Sequence, residues 1–169
     1  QKALYFLNLA GKNYYRAYYL IANIYCRGDD VDRDIEKAIK YYKECSSFNH
    51  QYSKNNLGIL YKNFKRNEIA IEYFEEAIQQ TNDKIAMYNL GHIYFYGELI
   101  NKNMDKSIEL LIKSSNQNFY PSLTLLSMAI VTQTKPVNIE KISNELAKYG
   151  NKNDELILVI YQKIKDLGL

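Results

Sequence analysis

The sequence predicts an all-α protein, a right-handed α-α superhelix (solenoid) of helical hairpin repeats. Three observations carry this. The phrase Leu57-Gly58-Ile59-Leu60-Tyr61 returns as Leu90-Gly91-His92-Ile93-Tyr94, with a looser copy at Ile21-Ala22-Asn23-Ile24-Tyr25 and a degenerate one at Leu126-Ser127-Met128-Ala129-Ile130. Its small residue falls at 22, 58, 91 and 127, at intervals of 36, 33 and 36. At such a period each repeat is one helical hairpin that buries its apolar face only by stacking on its neighbours. Finally, 47% hydrophobic residues with only 7 Gly and 2 Pro in 169 supply a core but few turn formers for an all-β chain.

The elements follow in order. Residues 1–13 are a partial unit, an amphipathic helix with Ala3, Phe6, Leu7 and Ala10 on one face. Ala3 and Ala10 stand 35 residues before Ala38 and Cys45, so the chain enters the pattern at a second helix and reads as a segment of a longer array. The repeat 14–50 has helices near 14–27 and 34–46 around a turn at Gly28-Asp29-Asp30, with Asp34 placed to cap the second. In the repeat 51–83 the connection is four residues shorter: Tyr61 to Ala70 spans 9 positions where Tyr25 to Ala38 spans 13. The repeat 84–119 restores the longer span, with Gly97 corresponding to Gly28 and Asp105 to Asp34. The repeat 120–151 is degenerate and broken at Thr134-Lys135-Pro136. A capping helix over 152–169, bearing Leu156, Ile157, Val159, Ile160 and Ile164, closes the core.

Within each hairpin, Gly58 and Gly91 are expected where the two helices cross, facing the small residues Ala70 and Ser107, as Ala22 faces Ala38. Tyr25, Tyr61 and Tyr94, one turn further on, wedge between helices with their hydroxyls reaching a partner.

The same residues narrow the function. A net charge of +3, from 22 basic and 19 acidic residues interspersed along the chain, makes a solvated surface with no strong claim on nucleic acid or anionic lipid. No run of 18 apolar residues occurs, so no membrane partner is expected. Cys45 shares its place with Ala10, Ala77 and Ser114, which reads as a buried free thiol and a cytoplasmic setting. His50 belongs to the turn between units, and His92 has no Cys, Asp or His at metal spacing on its helix. Glu72, Glu75 and Glu76 form a solvated helix face. There is no phosphate-cradling glycine loop and no nucleophile motif, so neither an enzyme nor a cofactor or metal site is expected.

Ala17-x-x-x-Ile21-Ala22-x-x-Tyr25-x-x-Gly28 followed by Asp34-x-x-Lys37-Ala38-x-x-Tyr41-Tyr42 resembles the Sel1-like repeat, a variant of the tetratricopeptide repeat with a longer turn between its helices. Ala86-x-x-x-Leu90-Gly91-x-x-Tyr94-x-x-Gly97 with Ser107 is the second clear copy. Leu57, Gly58, Tyr61, Ala70, Phe74 and Ala77 instead follow ordinary tetratricopeptide spacing, with Asn82 where that family commonly has proline. The resemblance implies an adaptor or scaffold that binds a protein or peptide in a concave groove lined by the first helices. It places Tyr19, Asn23, Cys26 and Arg27 in that groove from the first full unit. The second contributes Asn55, Asn56, Ile59, Lys62 and Asn63, and the third Tyr88, Asn89, His92, Phe95 and Tyr96. Asn56 and Asn89 both precede the glycine by two, where related repeats use asparagine on a peptide backbone. Two other readings stay open: an RNA-binding helical repeat, disfavoured because Lys37, Lys40 and Lys43 lie on a second helix, and a structural spacer or assembly segment that self-associates through its exposed terminal repeat.

Overall fold

The structure, a computed structural model, describes residues 15–29, 31–97 and 100–132. Among them are seven α-helices and no strand: α1 (Tyr15–Arg27), α2 (Ile35–Ser47), α3 (Ser53–Asn63), α4 (Asn67–Thr81), α5 (Lys84–Tyr96), α6 (Met104–Ser115) and α7 (Pro121–Thr132). The partial unit 1–13, the break at Thr134-Lys135-Pro136 and the capping helix of 152–169 lie outside the described residues.

The chain divides into two compact units, Gln1–Asp83 and Lys84–Leu169. In the first, α1 pairs with α2, α3 pairs with α4, and α2 packs on α3. Part of its core gathers Ala22, Ala38, Tyr42, Leu57 and Leu60. In the second, α5 pairs with α6 and α7 packs on both. Ile108, Leu111, Ile112, Leu123, Leu126 and Ala129 form the core there.

Each of the three hairpins among the described residues is closed by the same two backbone bonds. The residue before the second helix donates its N–H to the carbonyl of the phrase tyrosine: Asp34 to Tyr25 at 3.0 Å, Arg66 to Tyr61 at 2.9 Å, Asn103 to Tyr94 at 3.0 Å. Its own carbonyl accepts from the small residue that follows, Ala38, Ala70 or Ser107, at 3.0 Å in each case. The difference in repeat length is therefore confined to the stretch between two fixed anchors. The long connections leave the first helix through Gly28 (φ 82°) and Gly97 (φ 66°), a backbone region costly for any residue with a Cβ.

These anchors correct one equivalence. Asn103, not Asp105, corresponds to Asp34. Asp34 Oδ1 accepts from the Lys37 N–H at 2.9 Å, and Asn103 Oδ1 from the Lys106 N–H at 3.0 Å. A cap stands just outside the helix, two or three residues before the N–H it satisfies, whereas Asp105 already lies inside the first turn, where its charge meets the helix dipole. Asn82 is also explained. It ends α4 at φ 52° and donates its N–H to Ile78, neither of which proline can do.

The glycine contact is likewise sharper than expected. A Cβ on Gly58 would lie 2.6 Å from the ring of Phe74, and one on Gly91 3.1 Å from Leu111. The large residue four places past the small site is thus what a side chain would strike. Ser107 adds a hydrogen bond of its own, from Oγ to the Gly91 carbonyl at 2.8 Å.

Candidate partner-binding surfaces

In the first unit, three helices bring two amides to one buried phenol. Tyr42 of α2 is 2% exposed, and its hydroxyl donates to Asn23 Oδ1 of α1 at 2.7 Å. The amide of Asn56, on α3, bonds the same hydroxyl and reaches the Tyr19 hydroxyl, Nδ2 donating at 3.4 Å. Burial pushes the Tyr42 phenol well above its ordinary range, so it stays protonated and remains a donor. The Tyr19 ring, half-buried, tilts against Tyr42 at 5.8 Å and against His50 at 4.4 Å. His50 Nδ1 shares a 2.9 Å hydrogen bond with Ser53 Oγ.

Asn55 is a correction. It is 3% exposed and is removed from the residues a partner could touch. It stands three residues before Gly58, hence on the same helix face, and that face is turned onto α4. Tyr19 and Tyr88 hold the same place on α1 and α5 and are half-buried, long enough to reach past the margin of the core. Arg27 is exposed and pairs with Asp29 at 3.3 Å, a contact of little energy in water. Lys62, Cys26 and Ile59 are half-buried and Asn63 is exposed.

In the second unit, Tyr88, His92 and Tyr96 rise along α5 at four-residue steps, with ring centroids 6.2 Å and then 4.5 Å apart. Phe119 closes on Tyr88 edge-on at 5.5 Å. Tyr96, at 49%, is the most exposed of the three. Asn89 is half-buried beside them. Leu111 occupies the place of Tyr42 and offers no hydroxyl, and Tyr88, His92 and Tyr96 make this surface an aromatic strip. Phe95 belongs to the core, with the Lys102 ammonium 5.3 Å above its ring.

The opposite sides of the hairpins are occupied otherwise. Tyr25 stacks on Tyr41 at 6.0 Å and Tyr61 on Tyr73 at 5.5 Å, both with rings 5° from parallel. Lys37, Lys43 and Lys106 lie over Tyr25, Tyr61 and Tyr94 at 5.1, 5.8 and 5.2 Å. These lysines cover rings on the second-helix side. Glu72, Glu75 and Glu76 are exposed on α4, with Glu76 paired to Lys54. Cys26 and Cys45 are both free. Buried Cys45 donates to the Tyr15 carbonyl at 3.1 Å, as Ser114 does to the Lys84 carbonyl at 2.7 Å, and burial holds its thiol up. Among the described residues, no group of three or more His, Cys, Asp and Glu is disposed to hold a metal. No described helix is long and apolar enough to cross a membrane.

Two residues of the first surface escaped the sequence reading. Tyr42 stood in the sequence only as the last residue of the Lys37-Ala38-x-x-Tyr41-Tyr42 pattern; its hydroxyl, at a place where Phe74 and Leu111 have none, was the available signal. His50 was placed in the inter-unit turn, where it lies, but its contact with Tyr19 joins residues 31 apart.

The Sel1 repeat family model matches the chain over residues 16–44, 52–82 and 84–119. The middle segment is the one that sequence spacing had likened to an ordinary tetratricopeptide repeat. Among solved structures, a protective antigen of uropathogenic Escherichia coli strains, displaying an SLR fold, is similar at TM-score 0.64 and 18% identity, over 91% of this chain and 38% of that one. A Sel1 repeat protein from Oxalobacter formigenes is similar at TM-score 0.66 and 19% identity, over 84% of this chain and 61% of that one. The chain thus spans less than two thirds of either. No curated protein matches it in sequence.

Proposed function

Because the chain belongs to the Sel1 repeat family, an all-α solenoid fold whose members generally serve as interaction scaffolds, we propose that it is a non-enzymatic adaptor that holds an extended peptide along the first helices of its hairpins. The observation that carries this is the anchored amide pair. Asn23 spends its carbonyl oxygen on Tyr42 and presents its NH2; Asn56 spends its NH2 on Tyr19 and Tyr42 and presents its oxygen. Adjacent first helices thus offer one oriented donor and one oriented acceptor, the two groups a peptide backbone unit requires. Anchoring removes the rotamer entropy that a free surface asparagine would lose on binding. Tyr19 adds contact area at low entropic cost, and the strip of Tyr88, His92 and Tyr96 adds a second surface of the same kind.

The test is a pull-down that identifies a partner, followed by titration of that partner against wild type, Asn56→Ala and Asn89→Ala. A hydrogen bond at this site contributes about 0.5–1.5 kcal/mol, so Asn56→Ala should weaken binding by roughly two- to tenfold, with shallow salt dependence. Equal affinity for wild type and both variants would sink the reading, and a steep salt slope would move it towards RNA.

A further inference from the structure

We infer that His50 is a positioning residue of the first unit's surface: neutral, it holds the Tyr19 ring and the Asn56 amide bonded to it, and protonated it releases them, so that binding there is pH-dependent. This rests on reading that surface as a partner-binding one, but the coupling of His50 to Tyr19 does not.

His50 stands at the joint between two hairpins. Asn49, in the left-handed region at φ 56°, turns the chain out of α2, and the His50 carbonyl accepts from the Ser53 N–H as α3 begins. Each element around the ring contributes a group. From α1 come Tyr19 at 4.4 Å, Tyr15 at 5.7 Å and the Arg16 cation. At the start of α3 are Ser53, fully buried, and Tyr52 at 6.0 Å. From α2, Cys45 bonds the same Ser53 hydroxyl, and Tyr42 lies on the far side of Tyr19.

A cation in this place is opposed three times: by partial burial, by Arg16, and by the positive end of the α3 dipole. The Tyr19 face attracts a cation, yet burial is the larger effect and holds the His50 pKa below its ordinary value. The Cys45 thiol donates to the Tyr15 carbonyl and its sulfur accepts from the Ser53 hydroxyl, so Ser53 Oγ accepts from Nδ1–H and the added proton goes to Nε2, where burial and Arg16 oppose it. The imidazolium relieves this by moving towards water. Tyr19 then loses its nearest ring contact, and its hydroxyl is the acceptor for Asn56.

The test is NMR on the whole chain from about pH 8 to pH 5, following the His50 ring, the Tyr19 ring and the Asn56 side-chain amide. His50→Gln serves as the non-titrating variant that keeps a polar contact for Ser53 and identifies the His50 signal. The expected result is a His50 midpoint below 6.5, with the Tyr19 and Asn56 signals shifting at the same midpoint in wild type and not in His50→Gln. Affinity for an identified partner should fall at least threefold from about pH 7.5 to pH 5.5 in wild type alone. Tyr19 and Asn56 signals that stay flat while His50 titrates, or that shift equally in His50→Gln, overturn the coupling. Signals that follow His50, with a partner indifferent to Asn56→Ala, would uphold the coupling and remove the binding reading instead.

Discussion

At the scale of single residues, the repeated phrase is a packing device. Gly58 is required by the Phe74 ring, which a Cβ would meet at 2.6 Å inside a fully buried contact. Gly91 faces Leu111 at 3.1 Å, and a branched aliphatic chain can yield by the few tenths of an ångström needed. Gly58→Ala should therefore cost about 1–3 kcal/mol, the range for overpacking a core. Gly91→Ala should cost less, and urea midpoints measured on both variants check the ordering. An equal loss would mean that Leu111 is held as firmly as Phe74. In the first hairpin Ala22 and Tyr42 hold the corresponding places in the core. There the aromatic residue gains a hydroxyl, and the packing position becomes the anchor of two amides.

At the scale of elements, one hairpin design accepts two connection lengths because both ends of the connection are bonded in the same way. The second helices of the long hairpins are held at their start by side-chain caps, Asp34 and Asn103. The short hairpin starts at Arg66, which makes no side-chain cap bond. Asn103→Ala should lower stability by about 0.5–2 kcal/mol, the cost of a lost cap. Asp105→Ala, which takes a first-turn charge from the positive end of the helix dipole, should cost about 0.3–1 kcal/mol through that dipole. Thermal melts of the two variants decide between them; a larger loss from Asp105→Ala would return the cap to that residue. Asp105 attracted the sequence reading because it matches Asp34 in type. The small residue is the better ruler, since Ala38 and Ser107 each lie four places past the true cap.

At the scale of the whole molecule, stability carries the imprint of one histidine. The folded-state pKa of His50 is depressed, so between that value and the 6.5 of an unperturbed imidazole the unfolded chain binds the extra proton. Stability is then fully present above about pH 6.5 and is lost as pH falls through this window. Unfolding midpoints should decline from about pH 7 to pH 5 more steeply in wild type than in His50→Gln; parallel curves would place the proton uptake elsewhere. Repeat spacing alone gave the all-α class, the hairpin period, the bounds of α1 and α2 to within one residue, and the buried free thiol of Cys45. Local periodicity expresses such spacing directly. Packing between distant segments is what buries Asn55 and leaves Asn56 half-buried, bonds Tyr42 to Asn23, and lays His50 on Tyr19. The contacts that settle these points join residues 19, 37 and 31 positions apart. Helical periodicity tells which residues share a face, but which face is covered depends on the helices that stack against it.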